Sequence, residues 1–178
     1  SEGSFMFFPN HQGLYDVLAM IETSPRFFSI VAKIELMKIG FLRTVFKVMG
    51  AYVIDREDVR QTRKVIQSVS EDVKNGKSFL IFPEGTRNRN KSDLELLEFH
   101  EGSFRLSTKT DCLIVPIAMN NTVSIFEKQF PKIRKNHVVL EYCKPFRPSE
   151  LSKEDQKHIG EYTRTLILET LKKNEPLV

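Results

Sequence analysis

Short, fully apolar runs alternate along this chain with longer segments of helical period. Phe5-Met6-Phe7-Phe8 leaves no polar residue to face water, the pattern of a strand covered on both faces. Pro9-Asn10 ends it, and a helix is predicted from Gly13 to Ile21. Phe27–Val31 reads as a second strand. Ile34, Met37, Phe41, Val45 and Met49 recur every three or four residues, which predicts one helix over Ile34–Met49 closed by Gly50. Ala51–Ile54 is a third strand, Asp58–Lys74 an amphipathic helix, and Ser78–Phe82 a fourth strand stopped by Pro83. A polar loop over Gly85–Asp93, a short helix over Gly102–Ser107, strands at Leu113–Ala118 and Val138–Tyr142, and a closing helix over Ser152–Lys173 complete the pattern. Strands alternating with helices predict an α/β fold: a single domain over residues 1–178, its largely parallel sheet flanked by helices.

The 178 residues suffice for one sizeable core, and 40% hydrophobic with 28% charged residues excludes a disordered or collagen-like chain. The 27 Lys and Arg exceed the 23 Asp and Glu by four. That excess fits an anionic substrate or membrane surface and argues against a nucleic-acid binder, which needs a denser basic stripe. Cys112 and Cys143 sit among apolar residues without a Cys-x-x-Cys pair and read as core thiols of a reducing compartment. The scattered histidines offer no metal-ligand spacing, so no metal is expected. The chain starts without Met almost directly on an apolar strand, as an excerpt of a longer protein would, and an upstream membrane anchor is compatible with that start.

In open α/β sheets ligands gather at the carboxyl ends of strands. Three polar clusters fall there: Asn10-His11 with Asp16, Asp55-Arg56, and Pro83-Glu84-Gly85-Thr86-Arg87. Each has a plain alternative: a helix-dipole charge for Asp16, a surface ion pair for Asp55-Arg56, a structural role for a lone His. Five residues is too far for a shared helix face, so His11 is expected in a loop with Asp16 folding back to it from the first helical turns. A carboxylate on one imidazole nitrogen fixes the tautomer and leaves the other nitrogen to take a proton. No Ser or Cys stands between them as a nucleophile, so the proton belongs to a substrate hydroxyl or to water. Arg87 and Arg89 offer guanidinium forks for an anion, Gly85 lets backbone approach, and Arg56 is expected as a third cation from a neighbouring strand. The loop lacks the Walker A spacing, which argues against a nucleotide cradle. Backbone amides near Gly85 are the candidates for stabilising an oxyanion.

Four ordered blocks carry a resemblance. They are Asn10-His11-Gln12-Gly13-Leu14-Tyr15-Asp16; Gly50-Ala51-Tyr52-Val53-Ile54-Asp55-Arg56; Phe82-Pro83-Glu84-Gly85-Thr86-Arg87-Asn88-Arg89; and Val115-Pro116-Ile117-Ala118. Together they resemble the glycerolipid acyltransferase family typified by lysophosphatidic acid acyltransferase. The resemblance implies that His11 is the general base and Asp16 its orienting partner. It implies that Arg56, Glu84, Gly85, Thr86 and Arg87 form the acceptor site, and that Pro116 shapes the site on the acyl side. It further implies an acyl donor thioester on coenzyme A or acyl carrier protein, no cofactor, and a lysophospholipid acceptor. The chain departs from the family in Gly13, where Ser is frequent, and in His100-Glu101-Gly102-Ser103-Phe104, where a basic residue often precedes the Gly.

The reading is acyl transfer to the free hydroxyl of lysophosphatidic acid, giving phosphatidic acid. Three rivals stay open: another acceptor such as glycerol-3-phosphate or a different lysophospholipid, a non-catalytic lipid-binding module, and a hydrolase activating water. The Lys33–Gly50 segment is more apolar than one buried face needs and carries Lys33, Lys38, Arg43 and Lys47. It reads either as an interfacial helix with Phe41, Leu42 and Phe46 toward the membrane or acyl chain, or as a helix packed on the sheet with a basic edge. The expected location is membrane-associated, on the cytoplasmic face.

Overall fold

The computed structural model describes residues 3–55, 57–89 and 92–178. Six strands, β1 (Phe5–Pro9), β2 (Phe28–Lys33), β3 (Tyr52–Ile54), β4 (Ser78–Leu80), β5 (Leu113–Asn120) and β6 (Val139–Tyr142), form one sheet in the order β3-β2-β4-β1-β5-β6. All neighbours are parallel except β6, which runs antiparallel to β5 along the edge. The helices are α1 (Asp16–Thr23), α2 (Gly40–Val48), α3 (Val59–Lys74), α4 (Arg105–Thr110), α5 (Lys153–Lys157) and α6 (Ile159–Asn174).

The apolar runs do what their composition demands. In β1, Met6 and Phe8 enter one core with Phe79, Ile114, Val69 of α3 and Ile167 and Leu171 of α6. Phe7, pointing the other way, enters a second core with Val17 and Met20 of α1 and Leu42 and Phe46 of α2. The sheet is therefore covered on both faces, as a parallel sheet requires. Both thiols are buried and free.

Two predicted helices are each broken once. The Ile34–Met49 segment is a 3-10 turn (Ile34–Lys38), an extended Ile39 (φ −88°, ψ 110°), and then α2. Spacing of three and four is satisfied on both sides of such a break, so the period cannot detect it. The closing helix is interrupted at His158, where the Gly160 N–H is donated to Glu101 Oε1 at 2.9 Å instead of continuing the ladder. A side chain at Gly160 would also approach the Phe99 carbonyl within 3.0 Å. Of the residues expected to face a membrane, Leu42 and Phe46 instead fill the second core, 5% and 2% exposed; Phe41 is 56% exposed. Turning its apolar stripe to the sheet is how α2 satisfies its amphipathic pattern.

Beyond the last residue of β1, the fully buried Asn10 side chain extends the ladder. Its Nδ2 donates to the Met119 carbonyl at 3.0 Å and its Oδ1 accepts the Met119 N–H at 2.8 Å. Replacing it with alanine strands both buried backbone groups, so Asn10→Ala is expected to cost about 2–4 kcal/mol of unfolding free energy in urea denaturation. A loss below about 0.5 kcal/mol, the range of an ordinary surface change, would show that the pair does not anchor the strand end.

Candidate active site

Pro9 and Asn10 end β1 and release the chain into a tight loop, Asn10–Tyr15, before α1 begins at Asp16. The Asp16 side chain is fully buried and turns back into this loop. Its Oδ2 accepts the Gln12 N–H at 2.7 Å and the Gly13 N–H at 2.9 Å, and meets His11 Nδ1 at 2.7 Å. A carboxylate oxygen has no proton to give, so Nδ1 carries it and Nε2 is the basic nitrogen. The ring is stacked on Phe82, centroids 3.9 Å apart, which with the carboxylate fixes its plane. The side chain stays 16% exposed, enough for a substrate to reach it. The expected pairing of His11 with Asp16 across a loop is what the structure contains.

Glu84 follows the end of β4, the strand beside β1. It was expected among the acceptor ligands, but it is 2% exposed and both its oxygens are engaged by backbone. Oε1 accepts the His11 N–H at 2.7 Å and Oε2 the Leu97 N–H at 3.1 Å. Burial pushes its carboxyl above the ordinary range, with those two N–H bonds opposing. Glu84 is thus a positioning residue that ties the β1 loop to the loop after β4. The His11 carbonyl is held from the same side by the Asn88 N–H at 2.6 Å.

Gly85 adopts φ +65°, the left-handed conformation that glycine takes without strain, and its N–H is donated to the Phe82 carbonyl at 3.1 Å. That amide is committed to the turn, which leaves other backbone amides near Gly85 as the candidates for an oxyanion. Thr86 is exposed on the same turn. Arg87 lies at the mouth of the site, 40% exposed, its Nη1 3.5 Å from Glu127 Oε1. Pro116 is buried within β5, opposite Phe8, with its carbonyl accepting the Cys143 N–H.

Arg56 lies outside the described residues. The strand before it, β3, is not a neighbour of β4, because β2 lies between them. One intervening strand separates their ends by about 10 Å. Among the described residues no group of three or more potential metal ligands is present.

Sequence reasoning missed a polar net that closes the other side of the loop. Gln12 Nε2 donates to Asp93 Oδ1 at 2.7 Å, Gln12 Oε1 accepts from Thr122 Oγ1, and Asp93 Oδ2 accepts the Asn121 N–H at 2.6 Å. It also missed Glu127, which accepts the Leu14 N–H at 2.6 Å. Asn121, Thr122 and Glu127 come from a segment beyond β5 that carries no motif. The nearest signal was the polar Asn120-Asn121-Thr122 cluster at that strand's carboxyl end.

The chain is similar to known proteins over most of its length. It is 27% identical over 169 residues to the 1-acyl-sn-glycerol-3-phosphate acyltransferase of Saccharomyces cerevisiae, covering 94% of this chain and 55% of that protein. The Borreliella burgdorferi enzyme of the same name is 35% identical over 119 residues, 67% of this chain and 46% of that one. The chain thus spans about half the length of these curated relatives. The crystal structure of the LPA acyltransferase from Thermotoga maritima shares the fold, with a TM-score of 0.76 at 22% identity over 98% of this chain and 68% of that one. The family model described as Acyltransferase matches residues 1–120, the stretch that contains His11, Asp16, Glu84 and Arg87. The chain belongs to the Acyltransferase family.

Proposed function

We propose that this chain is the catalytic domain of an enzyme that moves a fatty acyl group from acyl-CoA or acyl-ACP to the free hydroxyl of lysophosphatidic acid. The product is phosphatidic acid, a precursor in phospholipid biosynthesis. The observation that carries the reading is the 2.7 Å contact between His11 Nδ1 and a fully buried Asp16, which dedicates Nε2 to proton abstraction. The names of the yeast and Borreliella relatives support the choice of acceptor.

In the proposed reaction Nε2 takes the acceptor's hydroxyl proton while the oxygen bonds to the thioester carbonyl carbon. Asp16 stabilises the imidazolium so formed. Collapse of the tetrahedral oxyanion breaks the carbon–sulfur bond, and the thiolate leaves with the proton held by His11. No covalent enzyme intermediate is needed, and His11 returns to its starting state. Arg87 binds the acceptor phosphate, since a guanidinium matches phosphate oxygens in geometry and charge. Arg56 and Thr86 remain candidates for the same headgroup.

Membrane association on the cytoplasmic face belongs to the same proposal. Among the described residues no helix is long and apolar enough to cross a membrane. Phe27 and Val48 are 78% and 79% exposed and line one apolar groove of about 340 Å³ with Ile21 and Val45. Arg43 and Lys47 project from the same helix, α2, as cations for an anionic headgroup layer. The free buried thiols suit a reducing compartment.

Acyl-transfer assays with lysophosphatidic acid test the chemistry. His11→Ala is expected to lower kcat by roughly 10²–10⁴-fold or more with the fold retained by circular dichroism. Turnover near that of wild type would remove His11 as the base. Arg87→Ala is expected to raise the acceptor KM about tenfold with little change in donor KM, and an unaltered acceptor KM would take Arg87 out of the phosphate site. Phe27→Glu with Val48→Glu is expected to weaken co-sedimentation with phosphatidylglycerol vesicles by about tenfold or more. Undiminished sedimentation would place the membrane contact elsewhere.

A further inference from the structure

The segment after β5 folds over the mouth of the site as two 3-10 turns, Thr122–Ile125 and Glu127–Gln129. It is fixed there by the Asn121 and Thr122 bonds to Asp93 and Gln12, and by the Phe126 ring, 5.9 Å from that of Tyr15. This placement delivers the Glu127 carboxylate to the loop that holds His11. Oε1 accepts the Leu14 N–H at 2.6 Å and faces Arg87 Nη1 at 3.5 Å. Oε2 is buried and has no hydrogen-bond partner among the described residues. The carboxylate lies against Gly13 so closely that a Cβ there would meet it at 2.5–2.9 Å.

An anion thus rests on a backbone N–H and a guanidinium, three residues along the chain from the catalytic histidine. A phosphate monoester calls for the same donors and uses them better: it brings three terminal oxygens and up to two charges against the carboxylate's two oxygens and one charge. Glu127 leaves one oxygen unsatisfied where it sits, a cost relieved as soon as the side chain swings to water. Its side chain is already 20% exposed, so the exit is short.

We propose that the Leu14 N–H and Arg87 form the anion subsite for the acceptor phosphate, and that Glu127 is an internal competitor which the phosphate displaces. The proposal rests on the reading of Arg87 as a phosphate ligand. A site blocked most of the time binds with an affinity reduced by the fraction open, so Glu127 sets the acceptor concentration at which the enzyme works. Gly13 is the residue that makes room for this arrangement.

The test measures two quantities on the full-length protein: the inhibition constant of inorganic phosphate and the acceptor KM. Glu127→Ala is expected to tighten phosphate inhibition and lower acceptor KM together by about tenfold, with donor KM unmoved. Glu127→Gln, which keeps the shape and the Leu14 bond but loses the charge, is expected to fall between. In an Arg87→Ala background the Glu127→Ala effect is expected to shrink below about twofold, because the two then share no ligand. If Glu127→Ala and Glu127→Gln leave phosphate inhibition unchanged or weaken it while Arg87→Ala alone weakens it, the competitor idea is overturned and the phosphate reading of Arg87 survives. If Arg87→Ala also has no effect on phosphate inhibition or acceptor KM, both fall.

Discussion

One carboxylate oxygen organises the loop that carries His11. Asp16 Oδ2 receives two backbone N–H groups and faces the His11 ring within 2.9 Å, in a place with no access to water. A charge buried so deeply is tolerable only if local donors replace its hydration. For Oδ2 the amides of Gln12 and Gly13 are those donors, and offering them is what bends the loop. Loop shape and imidazole orientation therefore share one cause in this carboxylate. Glu84 repeats the device from the next strand, using two backbone amides of separate segments to brace His11 from behind.

That bracing depends on strand order. The chain makes β2 and β3 outward from the centre, then returns through α3 to insert β4 between β2 and β1. The insertion sets the carboxyl end of β4 beside that of β1, and β5 then flanks β1 on its other side. Three segments far apart in sequence meet at the loop that carries His11: the loop itself, the Phe82–Asn88 turn, and the segment after β5. The same order leaves β3 at the sheet edge, with β2 between it and β4.

What was legible in the sequence was what local chemistry decides. A run such as Phe5–Phe8 has no alternative to burial on both faces, and a five-residue offset rules out a shared helix face for His11 and Asp16. Period was a weaker guide: it located α2 and α6 but not the breaks at Ile39 and His158, since a break of one residue preserves a stripe. Residue type also misled where a side chain has two uses. Glu84 in a strand-end motif looks like a ligand, yet a carboxylate 2% exposed between two amides is a brace. Glu127 had no signal at all, because its importance comes from a tertiary contact across more than a hundred residues.

Helix α1 links the two chemical environments that a glycerolipid acceptor would need. Its amino end carries Asp16 and adjoins the polar loop, while Ile21, near its carboxyl end, opens on the apolar groove with Phe27 and Val48. Eight residues of α-helix span about 12 Å. A lipid with its phosphate at Arg87 and its hydroxyl at His11 thus has apolar surface within one short helix of the reacting atoms. Charge and hydrophobicity are separated along a single rigid element, so in the proposed function headgroup and chain would be placed by different residues. The hydroxyl between them would then be held at the base by the binding of both ends.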